Sequence, residues 1–523
     1  MRGRGQISLM KNPRKNLYYL HGAIQHTELL YTIRQSFILE AEKRKRKQIK
    51  IFDSFDQRLF QKNKLLCYED NTWKLLDLTT FQYEQKSPDK PDKKFYWQFC
   101  DKNLCDYLKD ILNTRALIEK AIISYTQTIY HIKNSDKKTV ARLRHFELEI
   151  SDLSLPDNIF LLEEVRGYQK SFDKLGLIIT DLAINEFSEN NKSLFTRLLG
   201  MDIEPYSNSF SVNLKPEMSA ATAIREIMVF LTNIMRKNEE GISLDIDTEF
   251  LHDYRVAIRR VRTILSEMKS LIPNDQYEYF KTFFIKVLKI SNVLRDLDVL
   301  LLKKDSYRDL LPLAVKDNSN FIFKTISKKR TVELKKVKNF LKSTEYEQYL
   351  WEWQDFINRL EGMQINNEPL SRYIDIVARQ RIEKKINTLQ KKKFKFKKDV
   401  SPQVLHELRI ETKKLKYMLE AFRFLYPENT AMSIINNLKK IQDRFGLLHD
   451  LLVQQNLLDL YFNELDAKGK IAGKEAAAFG ALINLLNQQY QSAHRKSINK
   501  FHKFIKSGDY ARLNHAEMIE ERL

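Results

Sequence analysis

From Ser219 almost to the end of the chain, apolar residues recur three or four positions apart, which is helical spacing. Pro273, Pro312, Pro369, Pro402 and Pro427 fall between the periodic stretches, where a residue without an N–H does least harm. The first 200 residues are patterned differently. Leu17–Ala23, Ile49–Phe52, Leu65–Tyr68, Trp73–Leu78, Ile118–Ile132 and Thr139–Ile150 read as strands. Thr27–Lys47, Leu104–Leu112 and Phe172–Ile184 read as helices, and the run Lys43–Lys47 as a solvated helix end that suits the dipole. Thr139–Ile150 alternates: Arg142, Arg144, Phe146, Leu148 and Ile150 share one side, and Leu143, His145, Glu147 and Glu149 the other. Charge on an inward face suits a barrel lined with polar groups; a plain surface hairpin reads the same way. Met201–Pro216 is loop-like and marks a boundary. The expectation is an α+β chain of two domains. Residues 1–210 form an antiparallel β tunnel or half-barrel, and residues 219–508 an all-α duplicated bundle with halves near 219–360 and 369–508.

One helix is written twice. Leu251–Leu265, L-H-D-Y-R-V-A-I-R-R-V-R-T-I-L, puts His252, Arg255, Arg259 and Arg262 within an arc of about 80°. Arg260 flanks that row, and Ile258, Val261, Ile264 and Leu265 occupy the opposite side. Leu405–Leu419, L-H-E-L-R-I-E-T-K-K-L-K-Y-M-L, repeats it with His406, Arg409, Lys413, Lys414 and Lys416. Each pair lies 154 residues apart, and so do Val293–Asp296 and Leu447–Asp450, so the region is an internal duplication. No acid alternates within the first stripe, as it would on a salt-bridged surface helix. Like charges stacked this closely repel one another, which points to use on an anion.

Composition sharpens this. Of the formal charge of +21, residues 251–500 supply nearly all, with 47 Lys+Arg against 29 Asp+Glu. A polyanionic partner of the duplicated region follows: nucleic acid, polyphosphate or an anionic membrane surface. The cysteines number 3, too few for a disulfide framework, and fit a reducing cytoplasm. No stretch of 18 apolar residues occurs, so no membrane span is expected.

The element H-D-Y-R-V-A-I-R-R-V-R, its copy H-E-L-R-I-E-T-K-K-L-K and the partner motif Leu294–Val299 together resemble the CHAD domain. So do Asn238–Gly241 and Leu438–Asp450, and the resemblance spans residues 219–508. It implies two helical bundles related by a pseudo-two-fold, with a basic cavity that binds inorganic polyphosphate. In the second copy lysines replace three arginines, and Leu452 stands where Asp298 does, so that half loses part of the bidentate grip. Ile49–Cys67, T-W-K-L-L-D-L and T-V-A-R-L-R-H-F-E-L-E-I resemble a CYTH domain. Members of that family form an antiparallel β tunnel, and its enzymes hydrolyse triphosphates with metal ions held by an E-x-E-x-K strand near the start. Here Lys15–Gly22 has no acid, and Glu40-Ala41-Glu42-Lys43 falls within the expected helix, so the tunnel reads as degenerate. Neither a catalytic residue nor a metal or cofactor is assigned.

The leading function is non-catalytic binding of polyphosphate. Its acceptor-only oxygens need dense donors on a rigid frame, and helix turns at a spacing of about 5.4 Å set stripe residues against successive phosphates. The candidate contacts are the ten stripe residues together with Arg295, Arg330, Lys335, Lys440, Arg495 and Lys496. Lys328, Lys329, Arg379 and Arg381 are further basic positions. Asp296 and Asp450 read as residues that orient basic side chains, and Lys391–Lys398 as a solvated linker. Two other classes stay open: a metal-dependent triphosphatase or polyphosphatase acting through the tunnel, and an RNA- or DNA-binding protein. No aromatic stacking platform runs along the stripes to favour the latter. A cytoplasmic location, at polyphosphate granules, is the matching expectation.

Overall fold

The computed structural model describes residues 14–21, 24–79, 82–149, 157–182, 185–186, 196, 204–362, 372–392 and 402–507. The contacts divide the chain into two compact units, Met1–Ser207 and Asn208–Leu523.

The first unit is an open antiparallel half-barrel. Its elements run β1 (Lys15–His21), α1 (Ile24–Arg34), β2 (Ile38–Ala41), β3 (Lys45–Asp53), α2 (Arg58–Gln61), β4 (Lys64–Glu69), β5 (Thr72–Asp77), β6 (Tyr83–Ser87), α3 (Lys102–Leu112), β7 (Ile118–Lys133), β8 (Thr139–Glu149), β9 (Asp157–Glu164), α4 (Gln169–Asp181) and β10 (Asn185–Glu186). The sheet order is β10-β1-β9-β8-β7-β3-β4-β5-β6, with β2 also paired to β7. Sequential hairpins explain much of this order. Asp70 and Asn71 both take positive φ (49° and 58°), the backbone that a two-residue β4–β5 turn demands. One face buries Ile51, Cys67, Ile123, Tyr125 and Leu148. The other is covered at one end by α1 and α4 through Leu29, Ile33, Phe172 and Leu175, and beside β4 and β5 by α3 through Leu104 and Leu108.

The expected helix over Thr27–Lys47 is corrected by the structure. It stops at Arg34, and the chain returns as β2 and β3, so Lys43–Lys47 is not a helix end. Ile38–Ala41 and Lys45–Asp53 both pair with β7, whose long run of β-branched and aromatic residues outweighs the poor strand propensity of the charged segment. Glu40 and Glu42 therefore lie on or beside a strand two residues apart, not on a helix. Glu40 pairs with Lys133, and Glu42 with His131 at 2.8 Å. Between the Ala41–Tyr130 and Lys45–Gln127 pairs the register slips by one residue. That slip turns Arg44 to the opposite face, where it meets Glu147. An acid–acid–base row on one face is thus broken, and each acid is engaged by a side chain of the neighbouring strand, Glu40 by the Lys133 ammonium and Glu42 by the His131 ring. The full chain with Mg²⁺ or Mn²⁺ should release no more phosphate from tripolyphosphate than its Glu40→Gln/Glu42→Gln variant; a malachite-green assay reads this.

The second unit begins with α5 (Ala220–Leu244), α6 (Thr248–Glu267) and α7 (Asn274–Leu302). Ser219 and Asp247 cap the first two through N–H groups of Thr222, and of Glu249 and Phe250. Next come α8 (Lys304–Leu310), α9 (Leu313–Lys316), α10 (Ser319–Leu341) and α11 (Thr344–Arg359). The second half holds α12 (Ile374–Lys392), α13 (Pro402–Ala421), α14 (Glu428–Asp466) and α15 (Gly473–Ser507). The starts of α5, α6 and α7 precede those of α12, α13 and α14 by 154 residues each, and so do the short 3₁₀ turns Lys269–Leu271 and Arg423–Leu425. The sequence repeat is therefore a repeat of elements. The halves share a core in which Leu297, Ile322, Phe323 and Ile326 meet Leu451, Leu458, Phe479 and Leu482. Lys393–Asp399, most of the aromatic-basic run, lies outside the described residues.

Gly241 packs α5 against α6 so closely that a Cβ there would overlap the Phe250 ring. Gly241→Ala should cost about 1–3 kcal/mol of stability, as overpacking does, read as a lowered denaturant midpoint at unchanged slope.

Candidate polyanion-binding cavity

Helix α6 anchors its apolar face through Ile258, Val261, Ile264 and Leu265, each at most 1% exposed. Its opposite face carries His252, Arg255, Arg259 and Arg262 into a cavity of about 1160 Å³. Helix α13 brings His406, Arg409, Lys413 and Lys414 to the same cavity, and α7 adds Arg295. A second cavity of about 570 Å³ adjoins it, lined in part by Arg260 and Lys416. The two share His252, Arg259, Arg409, Lys413 and Tyr417, so they form one confluent groove. Under the 154-residue offset, Arg262, Ser266 and Lys281 at one end correspond to Lys416, Glu420 and Ile435 at the other.

The cations of this groove differ in what holds them. Arg255 is only 4% exposed and donates to the Leu288 carbonyl (3.0 Å), Ser291 Oγ and Asn292 Oδ1 (2.6 Å), tying α6 to α7. Burial, with Arg259 adding repulsion, brings its guanidinium down to about 9. Burial likewise lowers Arg262 and Arg409, with Arg259 repelling both. Lys413 is pushed down to about 6 by burial and then by Arg409, Arg259 and Lys416, against a weaker pull from Asp450. Among the described residues, Arg259, Arg262, Arg409 and Lys413 have no ion-pair partner. Asp296, whose carboxyl is raised by burial, Asp443 and Asp450 line the same space. Their charge is too little to balance the cations.

Three stripe residues are held by acids. Arg260 of the first half reaches Glu420 of the second at 3.1 Å, while Lys414 of the second half reaches back to Glu267 and Ser266 of the first, both at 3.4 Å. These contacts are near-reciprocal across the pseudo-two-fold and join the halves. Lys416 also holds Glu420, at 3.2 Å.

The remaining expected contacts lie elsewhere. Arg330 bridges Asp298 and Asp245, each at 2.6 Å. Lys335 on α10, Lys440 on α14, and Arg495 and Lys496 on α15 are exposed and do not line the groove. Lys329 pairs with Glu464, and Arg379 donates to the Leu425 carbonyl. Conversely, Lys281, Lys289 and Asn292 line the cavity although the stripe does not include them. They fall with Leu288, Arg295 and Asp296 on one face of α7, at spacings of 3, 4, 7 and 8, so projecting α7 from Arg295 finds them. Their second-half equivalents are Ile435, Asp443 and Gly446, so the first half carries the larger share of positive charge.

No helix among the described residues is long and apolar enough to cross a membrane. No curated protein sequence matches the chain. Similar solved structures include the CHAD domain from the plant Ricinus communis, at 20% identity and TM-score 0.46, covering 58% of this chain and 97% of that one. PptA from Streptomyces chartreusis is similar at 14% identity and TM-score 0.41, covering 55% and 98%. A putative adenylate cyclase from Vibrio parahaemolyticus has 10% identity and TM-score 0.23, covering 36% and 99%. The CHAD domain family model matches residues 230–459, the stretch that holds both basic stripes, and this stretch of the chain is therefore a CHAD domain.

Proposed function

We propose that the groove between the two halves binds inorganic polyphosphate without catalysis. The observation that supports this most is the set Arg259, Arg262, Arg409 and Lys413. These four converge on one cavity with no carboxylate paired to any of them among the described residues. A folded protein tolerates such crowding where an anion completes it, because every lost hydration shell is then replaced by charge-assisted hydrogen bonds. The CHAD domain match over residues 230–459 supports the same reading. On it, the protein resides with polyphosphate in the cytoplasm and at its granules, which fractionation tests. The discriminating experiment is competition between long-chain polyphosphate and RNA at equal phosphate concentration across a salt series. Polyphosphate should displace RNA, with both weakening as salt rises; displacement of polyphosphate by RNA at parity would favour the nucleic-acid reading.

Binding should also be proton-linked. Free Lys413 titrates at about 6, and a phosphate beside it raises that value. Binding therefore takes up a proton, and affinity climbs as pH falls toward about 6, then levels for this group. Burial and neighbouring cations hold His406 low as well, so its contribution appears at the acid end. Calorimetry at neutral pH in buffers of different ionisation enthalpy should detect this uptake. Lys413→Arg, which keeps the charge and cannot shed it, should abolish most of it.

A further inference from the structure

Six lysines line the confluent groove: Lys281, Lys289, Lys413, Lys414, Lys416 and Lys439. Lys281 is held by Glu278 at 2.8 Å, Lys414 by Glu267 and Lys416 by Glu420. Lys289 and Lys439 are exposed. Lys413 alone of the six is neither exposed nor paired with an acid among the described residues. It is the pseudo-two-fold equivalent of Arg259, so the central rung of the stripe has a guanidinium on one side and an amine on the other. An ammonium there faces Arg409 and Lys416 on its own helix and Arg259 on α6, opposed by Asp450 on α14. A guanidinium cannot relieve that repulsion by losing a proton, whereas an amine can. Burial and adjacent cations are what turn a lysine into a nucleophile.

We propose that Lys413 is a nucleophilic lysine whose electrophile is a small acyl phosphate, and that acyl transfer to its Nζ is a modification that weakens phosphate binding in this groove. The choice of electrophile rests on the phosphate-binding reading above. In the reaction the Nζ lone pair attacks the acyl carbon and a C–N bond forms. The C–O bond to phosphate breaks, its electron pair leaves on the phosphate, and the nitrogen gives one proton to water. Nothing is oxidised or reduced. Arg259 and Arg409 flank the site and stabilise the charge that grows on the departing phosphate, which is the part of the reaction that benefits most from fixed donors. The product amide carries no charge and leaves one phosphate contact unmade. An aldehyde would give an imine, which the open groove returns to amine by hydrolysis and which gains nothing from the arginines.

The depressed basicity of Lys413 sets the expected rate. Relative to an ordinary lysine, the neutral fraction near pH 7 rises on the order of 10³-fold while intrinsic nucleophilicity falls on the order of 10²-fold, a net gain of about 10-fold. The full chain is treated with acetyl phosphate, and acetylation of each lysine is followed by mass spectrometry. Lys413 should react about 10-fold faster than Lys289 and Lys439 in the same groove. Its lead should be larger with acetyl phosphate than with an acetyl N-hydroxysuccinimide ester, which has no phosphate to grip. Equal rates at the three lysines would overturn the nucleophile, and an equal lead with both reagents would overturn the acyl phosphate. Tripolyphosphate provides the separate control. Fast acetylation that it does not slow keeps the nucleophile and contradicts polyphosphate binding, whereas slow acetylation together with measured tripolyphosphate affinity does the reverse.

Discussion

Arg259→Ala combined with Arg409→Ala should weaken long-chain polyphosphate binding by about two to four orders of magnitude at moderate salt. Each arginine supplies a charge-assisted contact of about 1.5–3 kcal/mol where water is partly excluded, and the two lie in the shared stretch of both cavities. The fold should survive. Neither guanidinium has an ion-pair partner to lose among the described residues, and the apolar faces of α6 and α13 are untouched. Stability of the free protein should stay level or rise, since two members of a mutually repelling set are gone. Arg255 is the wrong choice for this test: its hydrogen bonds to Leu288, Ser291 and Asn292 hold α6 on α7, so its loss mixes packing with charge. Fluorescence anisotropy for affinity, beside urea unfolding for stability, separates the two effects.

Arg330→Ala should do the opposite. Arg330 makes 2.6 Å contacts with both Asp298, which is 1% exposed, and Asp245, which ends α5 in a left-handed conformation. Removing it leaves a buried carboxylate without its cation, a change that costs about 3–5 kcal/mol. Burial already raises the Asp298 carboxyl, so in the variant it is expected to hold its proton further, and stability should fall as pH rises through and above the ordinary carboxylate range, levelling once the buried carboxyl has ionised. The protein that remains folded should bind polyphosphate with little change, because Arg330 does not line the groove. A reduced denaturant midpoint with unchanged affinity checks both halves of the expectation.

The stripe arginines and Arg330 also show what the sequence can and cannot convey. The stripe is legible because one helix fixes the direction of each of its side chains: His252, Arg255, Arg259 and Arg262 must share a face whatever surrounds them. Its duplication is legible because a copied helix keeps its spacing, and the element starts repeat at the same offset. Arg330 lies on a different helix, and nothing local announces that Asp245 and Asp298 close around it. Arg260 and Lys414 fall near the stripe on the helical wheel, yet the approach of α6 to α13 couples each to an acid of the other half. The Lys43–Lys47 run misleads for a related reason. Its own propensity favours a helix end, and only its pairing with β7 makes it a strand. Lys281 and Lys289 were within reach of the sequence, since Arg295 marks the groove side of α7, but the nearby Glu278 disguises that face as an ordinary salt-bridged surface.

The claim that polyphosphate lies along the stripes is tested most directly by arginine footprinting with phenylglyoxal on the full chain. Modification rates are measured with and without saturating long-chain polyphosphate. Arg259, Arg262 and Arg409 should be strongly protected, while exposed Arg495 on α15 should react at the same rate in both samples. If polyphosphate binds and Arg259 and Arg409 are still modified as fast as in its absence, the groove is not where it sits.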